Sequence, residues 1–63
     1  MYKVGQKVVI IEMSGEPQYS GKSGEIKFID ALGQLHGTWG GCALIPSEDR
    51  FYIVDDETYE LMK

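Results

Sequence analysis

Residues 24–46, GEIKFIDALGQLHGTWGGCALIP, decide the fold, because they read as two consecutive β-hairpins whose registers agree. Asp30-Ala31-Leu32-Gly33 matches a type I turn: Asp at the first position bonds backbone amides, and Gly at the fourth accepts a positive φ. If that turn pairs Ile29 with Gln34, then Phe28 faces Leu35, Ile26 faces Gly37 and Gly24 faces Trp39 on one side of the ribbon. Glu25, Lys27, Gln34, His36 and Thr38 fall on the other side, joined by Ile29. A register that sorts apolar from polar in this way is the one a half-buried ribbon selects. Gly40-Gly41 then suits a two-residue second turn, which sets Trp39 opposite Cys42 and Gly37 opposite Leu44, on the same buried side. Gly24 and Gly37, beside bulky neighbours, leave room for the indole ring and for strong curl.

Working outward, KVVIIE (residues 7–12) is β-branched and reads as the first strand, its lack of alternation implying that both faces are partly covered. Residues 13–23, MSGEPQYSGKS, are dense in Gly, Ser and Pro and form a long first loop. Pro46 ends the fourth strand, Ser47-Glu48-Asp49 suggests one helical turn capped by Ser47, and FYIV (residues 51–54) is the fifth strand. Residues 55–63 form a tail that is a short helix, an added strand or a loose end. The expectation is therefore a single all-β domain over residues 1–63, with the tail following a body at about 4–54. Its form is a small five-stranded SH3-like barrel with a long first loop and a short helical turn before the last strand. Eight glycines and the β-branched runs disfavour a helical alternative. The expected core is Val8, Ile10, Ile26, Phe28, Leu35, Trp39, Cys42, Leu44, Phe51 and Ile53.

At 63 residues the chain is near the size at which a domain folds alone, and its total stability is expected to be about 3–9 kcal/mol. One cysteine gives no internal disulfide, which suits a reducing cytoplasm. The longest early apolar run, Val8 to Ile11, is too short for a signal peptide or a membrane span. The net charge is −4, and the six basic residues are scattered singly, unlike the clustered Lys and Arg of a nucleic-acid surface. Nucleic-acid binding is thus disfavoured, and no membrane partner is expected.

The residues then show a resemblance. GQKVVII, GKSGEIKFID and GQLHGTWGGCALIPSEDRFYIV, with their Leu35-His36-x-x-Trp39 and Ala43-Leu44-Ile45-Pro46 runs followed by Asp49 and Phe51, resemble the short bacterial proteins of domain of unknown function 4314. The resemblance covers about residues 5–54. It implies an SH3-like barrel and a setting in Gram-positive bacteria and their mobile elements, and it brings no activity and no catalytic residues. Ile45-Pro46-Ser47 is similar to a segment of eukaryotic SH3 domains, but their first-loop aromatic motif and paired tryptophans are absent, so no proline-peptide site carries over.

Chemistry-bearing residues are few. Cys42 and His36 are the one conceivable nucleophile and base, and the expected register puts them on opposite faces. Neither these two nor Asp55-Asp56-Glu57 make a zinc or calcium site, so no metal is expected. Gly21-Lys22-Ser23-Gly24 precedes a strand, which removes the helix N-terminus a phosphate loop needs. No cofactor and no enzymatic activity are expected. The surplus lies elsewhere: by parity Val9 and Ile11 on the first strand, and Tyr52 and Val54 on the fifth, face outward as one apolar patch. Either Tyr59, Leu61 and Met62 of the tail cover it, or the chain self-associates through it. Pro17 and Tyr19 in the first loop are the second candidate surface, unless Tyr19 anchors its own loop. These features point to a non-catalytic protein-binding module whose partner is an unknown protein or a second copy. The alternative is a nucleic-acid-associated accessory factor, by fold analogy.

Overall fold

The expected strands form, in a computed structural model that describes residues 1–62. They are β1 (Lys7–Glu12), β2 (Ser23–Ile29), β3 (Leu35–Gly37), β4 (Gly40–Leu44) and β5 (Arg50–Val54), followed by a helix, α1 (Asp56–Met62). Lys63, the last residue of the expected tail, lies outside the described residues. The strands make one antiparallel sheet in the order β4-β3-β2-β1-β5. The fold is thus mostly β, as expected, and the first and last strands are neighbours. Among the described residues β4 and β5 share no ladder, so the sheet ends in two edges and does not close into a hydrogen-bonded barrel.

The first turn forms for the expected reason. Asp30 O accepts from Gly33 N at 2.9 Å, Gly33 takes a φ of 83°, and Asp30 Oδ1 accepts from Leu32 N and Gln34 N at 2.9 and 3.0 Å. The register beyond it differs from expectation by one residue: Ile29 lies opposite Leu35 and Phe28 opposite His36. An irregularity between Ile26 and Phe28 restores the expected pairing of Ile26 with Gly37. Because side chains alternate across a strand, this slip turns Phe28 outward, 58% exposed, and packs Ile29 against the core in its place. Phe28 is not a core residue.

The second turn is also displaced. Thr38-Trp39 makes it, with Gly37 opposite Gly40, and not Gly40-Gly41. A further shift along β4 then sets Leu35 opposite Leu44. Trp39 is nevertheless buried at 4% exposure, because its ring folds back under the turn and its Nε1 donates to Cys42 O at 2.8 Å. Gly37 leaves the expected space: a Cβ there would collide with the Trp39 ring and with Glu25 O.

The core is Val8, Ile10, Met13, Ile26, Leu35, Trp39 and Leu44, with Tyr19, Ile29, Cys42 and Phe51 packed at its margin. Cys42 and Phe51 are therefore half-buried partners of the core. Ile53 lies opposite Val8 but is 39% exposed, because β5 ends the sheet and has a strand on one side alone. Met13, placed in the loop by sequence, is buried.

Candidate binding surface

Two segments meet where β5 begins, and one carboxylate holds them. Asp49, 8% exposed, accepts from Ile45 N through Oδ2 at 2.8 Å and from Ser14 N through Oδ1 at 2.9 Å. Asp49 N and Glu48 N in turn donate to Ile45 O at 2.8 and 2.9 Å. This hydrogen-bonded turn stands where a capped helical turn is expected, and no helix is formed there. The short helix of this half of the molecule is instead a 3-10 turn, Pro17–Tyr19, in the first loop.

Beside Asp49 lies a shallow groove of about 240 Å³, lined by Tyr2, Ile11, Pro46, Asp49, Arg50, Phe51 and Tyr52. The Tyr2 and Phe51 rings form one wall, their centres 5.4 Å apart and tilted by 45°. Ile11 is the extra residue where β1 shifts register between Ile10 and Glu12, and this turns it out towards the groove, exposed. Tyr52, opposite Val9 on β1, is 63% exposed.

Of the expected outward patch, then, the structure brings Ile11 and Tyr52 together at one groove. Val54 is half-buried opposite Lys7. Val9 is a correction: it is buried, 9% exposed, because it lies inside the sheet with β2 on one side and β5 on the other. The tail forms α1, whose Asp55 cap accepts from Thr58 N at 2.7 Å; that bond holds the Asp55 carboxyl below its ordinary range. The helix meets β1 at Lys7, whose Nζ lies 3.2 Å from Asp56 Oδ1 and 5.7 Å from the centre of the Tyr59 ring. The hydrogen bond that Lys7 donates to Asp56, with the nearby Glu25 carboxylate, raises the Lys7 pKa above its ordinary value. Tyr59 is half-buried, whereas Leu61 and Met62 are exposed, and the tail leaves Ile11 and Tyr52 uncovered.

The first-loop candidates separate. Tyr19 packs on the core with the Gly40 backbone against its ring and Lys22 Nζ 5.6 Å from its centre, so it anchors its own loop. Pro17 is exposed. The loop is pinned further by Cys42 Sγ on Glu16 Oε1 at 3.3 Å and by Gly21 N on Ile10 O at 2.8 Å. His36 has its own partner, Asp30 Oδ2 at 2.9 Å, with the Phe28 ring 5.5 Å away. Among the described residues no three or more His, Cys, Asp or Glu side chains are grouped to hold a metal ion. No helix of the described residues is long and apolar enough to cross a membrane.

Sequence reasoning missed Tyr2, Pro46, Asp49, Arg50 and Phe51 as groove residues. An exposed aromatic at Tyr2 and a Pro-x-x-Asp-Arg run carry no periodic signal; the first reaches the groove through its ring against Phe51 and the second through the turn before β5.

In a comparison with protein families, the profile of Domain of unknown function (DUF4314) covers residues 1–54. The chain belongs to this family. The matched segment takes in all five strands and every groove residue, and stops where β5 ends. Comparisons with curated proteins and with solved structures give no match.

Proposed function

We propose that this member of the DUF4314 family is a small non-catalytic protein-binding module that docks its partner at the groove beside β5. The observation that carries this is the grouping of Tyr2, Phe51 and Tyr52 with Ile11 and Pro46 around an open depression. Aromatic residues with two rotatable side-chain bonds supply large contact area at small entropic cost, and are enriched in protein interfaces. Arg50 at the rim adds a charged donor suited to a carboxylate or backbone carbonyl. Self-association through the same region is one form of this reading. The finer fold belongs to the proposal too: the meander of β1 to β4 and the return of β5 beside β1 support an open, SH3-like arrangement. The setting belongs to the proposal as well: the family resemblance implies bacteria and their mobile elements, and the single cysteine suits a reducing cytoplasm.

The nucleic-acid reading draws less support. Lys7 is paired with Glu25 and Asp56 and Lys27 with Glu25, so these two cations already have carboxylate partners.

The test is capture from host extract on the immobilised chain, read by mass spectrometry beside an Ile11→Ser/Tyr52→Ala variant of unchanged melting temperature. A protein retained by the wild type and lost by the variant is expected. Identical retention by both, or retention of nothing, would overturn the proposal.

A further inference from the structure

The strand β5 is an edge whose one ladder partner among the described residues is β1. Its free side can be read from the neighbouring ladder. Ile10 N donates to Lys22 O, Ile10 O accepts from Gly21 N, and Gln6 O accepts from Ile26 N. Gln6 and Ile10, and by alternation Val8, therefore direct their peptide groups at β2, and Lys7 and Val9 direct theirs at β5. Their partners across the ladder are Val54 and Tyr52. By antiparallel alternation, the peptide groups of Phe51 and Ile53 point out of the sheet. The segment holds no proline, no lysine and no bulge of its own, the usual guards of an exposed edge.

The charges along β5 select the occupant. Arg50 opens the strand, 73% exposed at its side chain, and Asp55, Asp56 and Glu57 follow its end. An identical strand laid antiparallel across the edge brings each Arg50 to the other copy's acidic end, twice by symmetry. Centred on Tyr52, this pairing sets Phe51 opposite Ile53 of the second copy, each pair exchanging both hydrogen bonds, and Arg50 opposite its Val54. The two Tyr52 rings then meet in the closer, non-hydrogen-bonded position, where aromatic pairs contribute most. We infer that the chain forms a two-fold dimer by antiparallel β5–β5 pairing, joining two sheets into one. This inference rests on the binding reading above and names its partner as a second copy.

The test is sedimentation equilibrium over rising concentration on three forms: the wild type, a chemically synthesised chain N-methylated at Ile53, and Arg50→Glu. The N-methyl group removes one outward donor while leaving every side chain in place. Melting of each form at low concentration checks the fold, and Arg50→Glu/Asp56→Lys provides the charge-swapped rescue. We expect a wild-type dimer, a monomer on N-methylation, and a dimer Kd raised about tenfold by Arg50→Glu and recovered in the swap. A dimer indifferent to both changes would place the interface elsewhere and overturn the inference. So would a wild type monomeric at about millimolar concentration. If that monomer still captures a protein in a Tyr52-dependent way, the binding reading stands without self-pairing; if it captures nothing, both fall.

Discussion

Two aspartates each hold a turn of this small chain, and both use backbone amides. Asp30 accepts from Leu32 N, Gln34 N and His36 Nε2. The His36 hydrogen bond first, then the amides of Gln34 and Leu32, lower its pKa below the ordinary 3.8. A carboxyl whose folded pKa lies below its unfolded one stabilises the fold fully above about pH 4, and that contribution is lost as the pH falls through the folded value. Thermal melts from pH 5 to pH 2.5 should therefore show a smaller fall for Asp30→Asn than for the wild type; parallel falls would count against this assignment. Asp49 holds Ile45 N and Ser14 N in a buried setting. Asp49→Ala leaves two amide donors short of their partner, and urea unfolding should read a loss of about 2–4 kcal/mol.

At the level of elements, the second hairpin depends on an indole under its own turn. Trp39 is buried, bonded to Cys42 O, and faces Gly37. Trp39→Ala should cost about 3–5 kcal/mol by equilibrium unfolding, and an unchanged melting temperature would refute its core role. The turn at Asp30 was legible because its chemistry is local: one carboxylate, the amides beside it and a glycine at positive φ. The adjacency of β1 and β5 was expected from the SH3-like form, in which the first and last strands are neighbours, and parity added only that Val8, Ile10, Phe51 and Ile53 share the inward face. The errors cluster at register shifts. The irregularity in β2 reverses Phe28 and Ile29, and that in β4 lets Thr38-Trp39 turn in place of Gly40-Gly41. A bulge is chosen by three-dimensional packing, here the need to seat Trp39 against Gly37, and alternation alone extrapolates straight through it. The groove was half legible. Ile11 and Tyr52 were expected to face outward, whereas Pro46 and Arg50 join them through a turn whose key bond spans Ser14 to Asp49, and Tyr2 through its ring against Phe51.

Taken whole, the molecule completes its core before its helix begins. No residue of α1 is buried, and the family match ends at Val54. A chain ending at residue 54 should keep a single cooperative melt and lose a few degrees at most, since the ion pair between Lys7 and Asp56 is exposed on the Asp56 side. Loss of cooperativity in differential scanning calorimetry would show that the helix is integral. With a total stability of about 3–9 kcal/mol, the single-residue losses above are large fractions of the whole, so functional variants belong on Ile11, Arg50 and Tyr52, which are exposed.

The ladder between Lys7 and Val54 has one more consequence, in time and not in space. It joins the start of the first strand to the end of the last, so nearly the entire chain must exist before it can form, while the β2–β3–β4 meander needs local turns alone. Long-range pairing of this kind is the slow step of small β proteins. Until β5 arrives, β1 has a bare edge with Val8, Val9 and Ile10 in line along it. The last strand to be made is thus the one that shields the first.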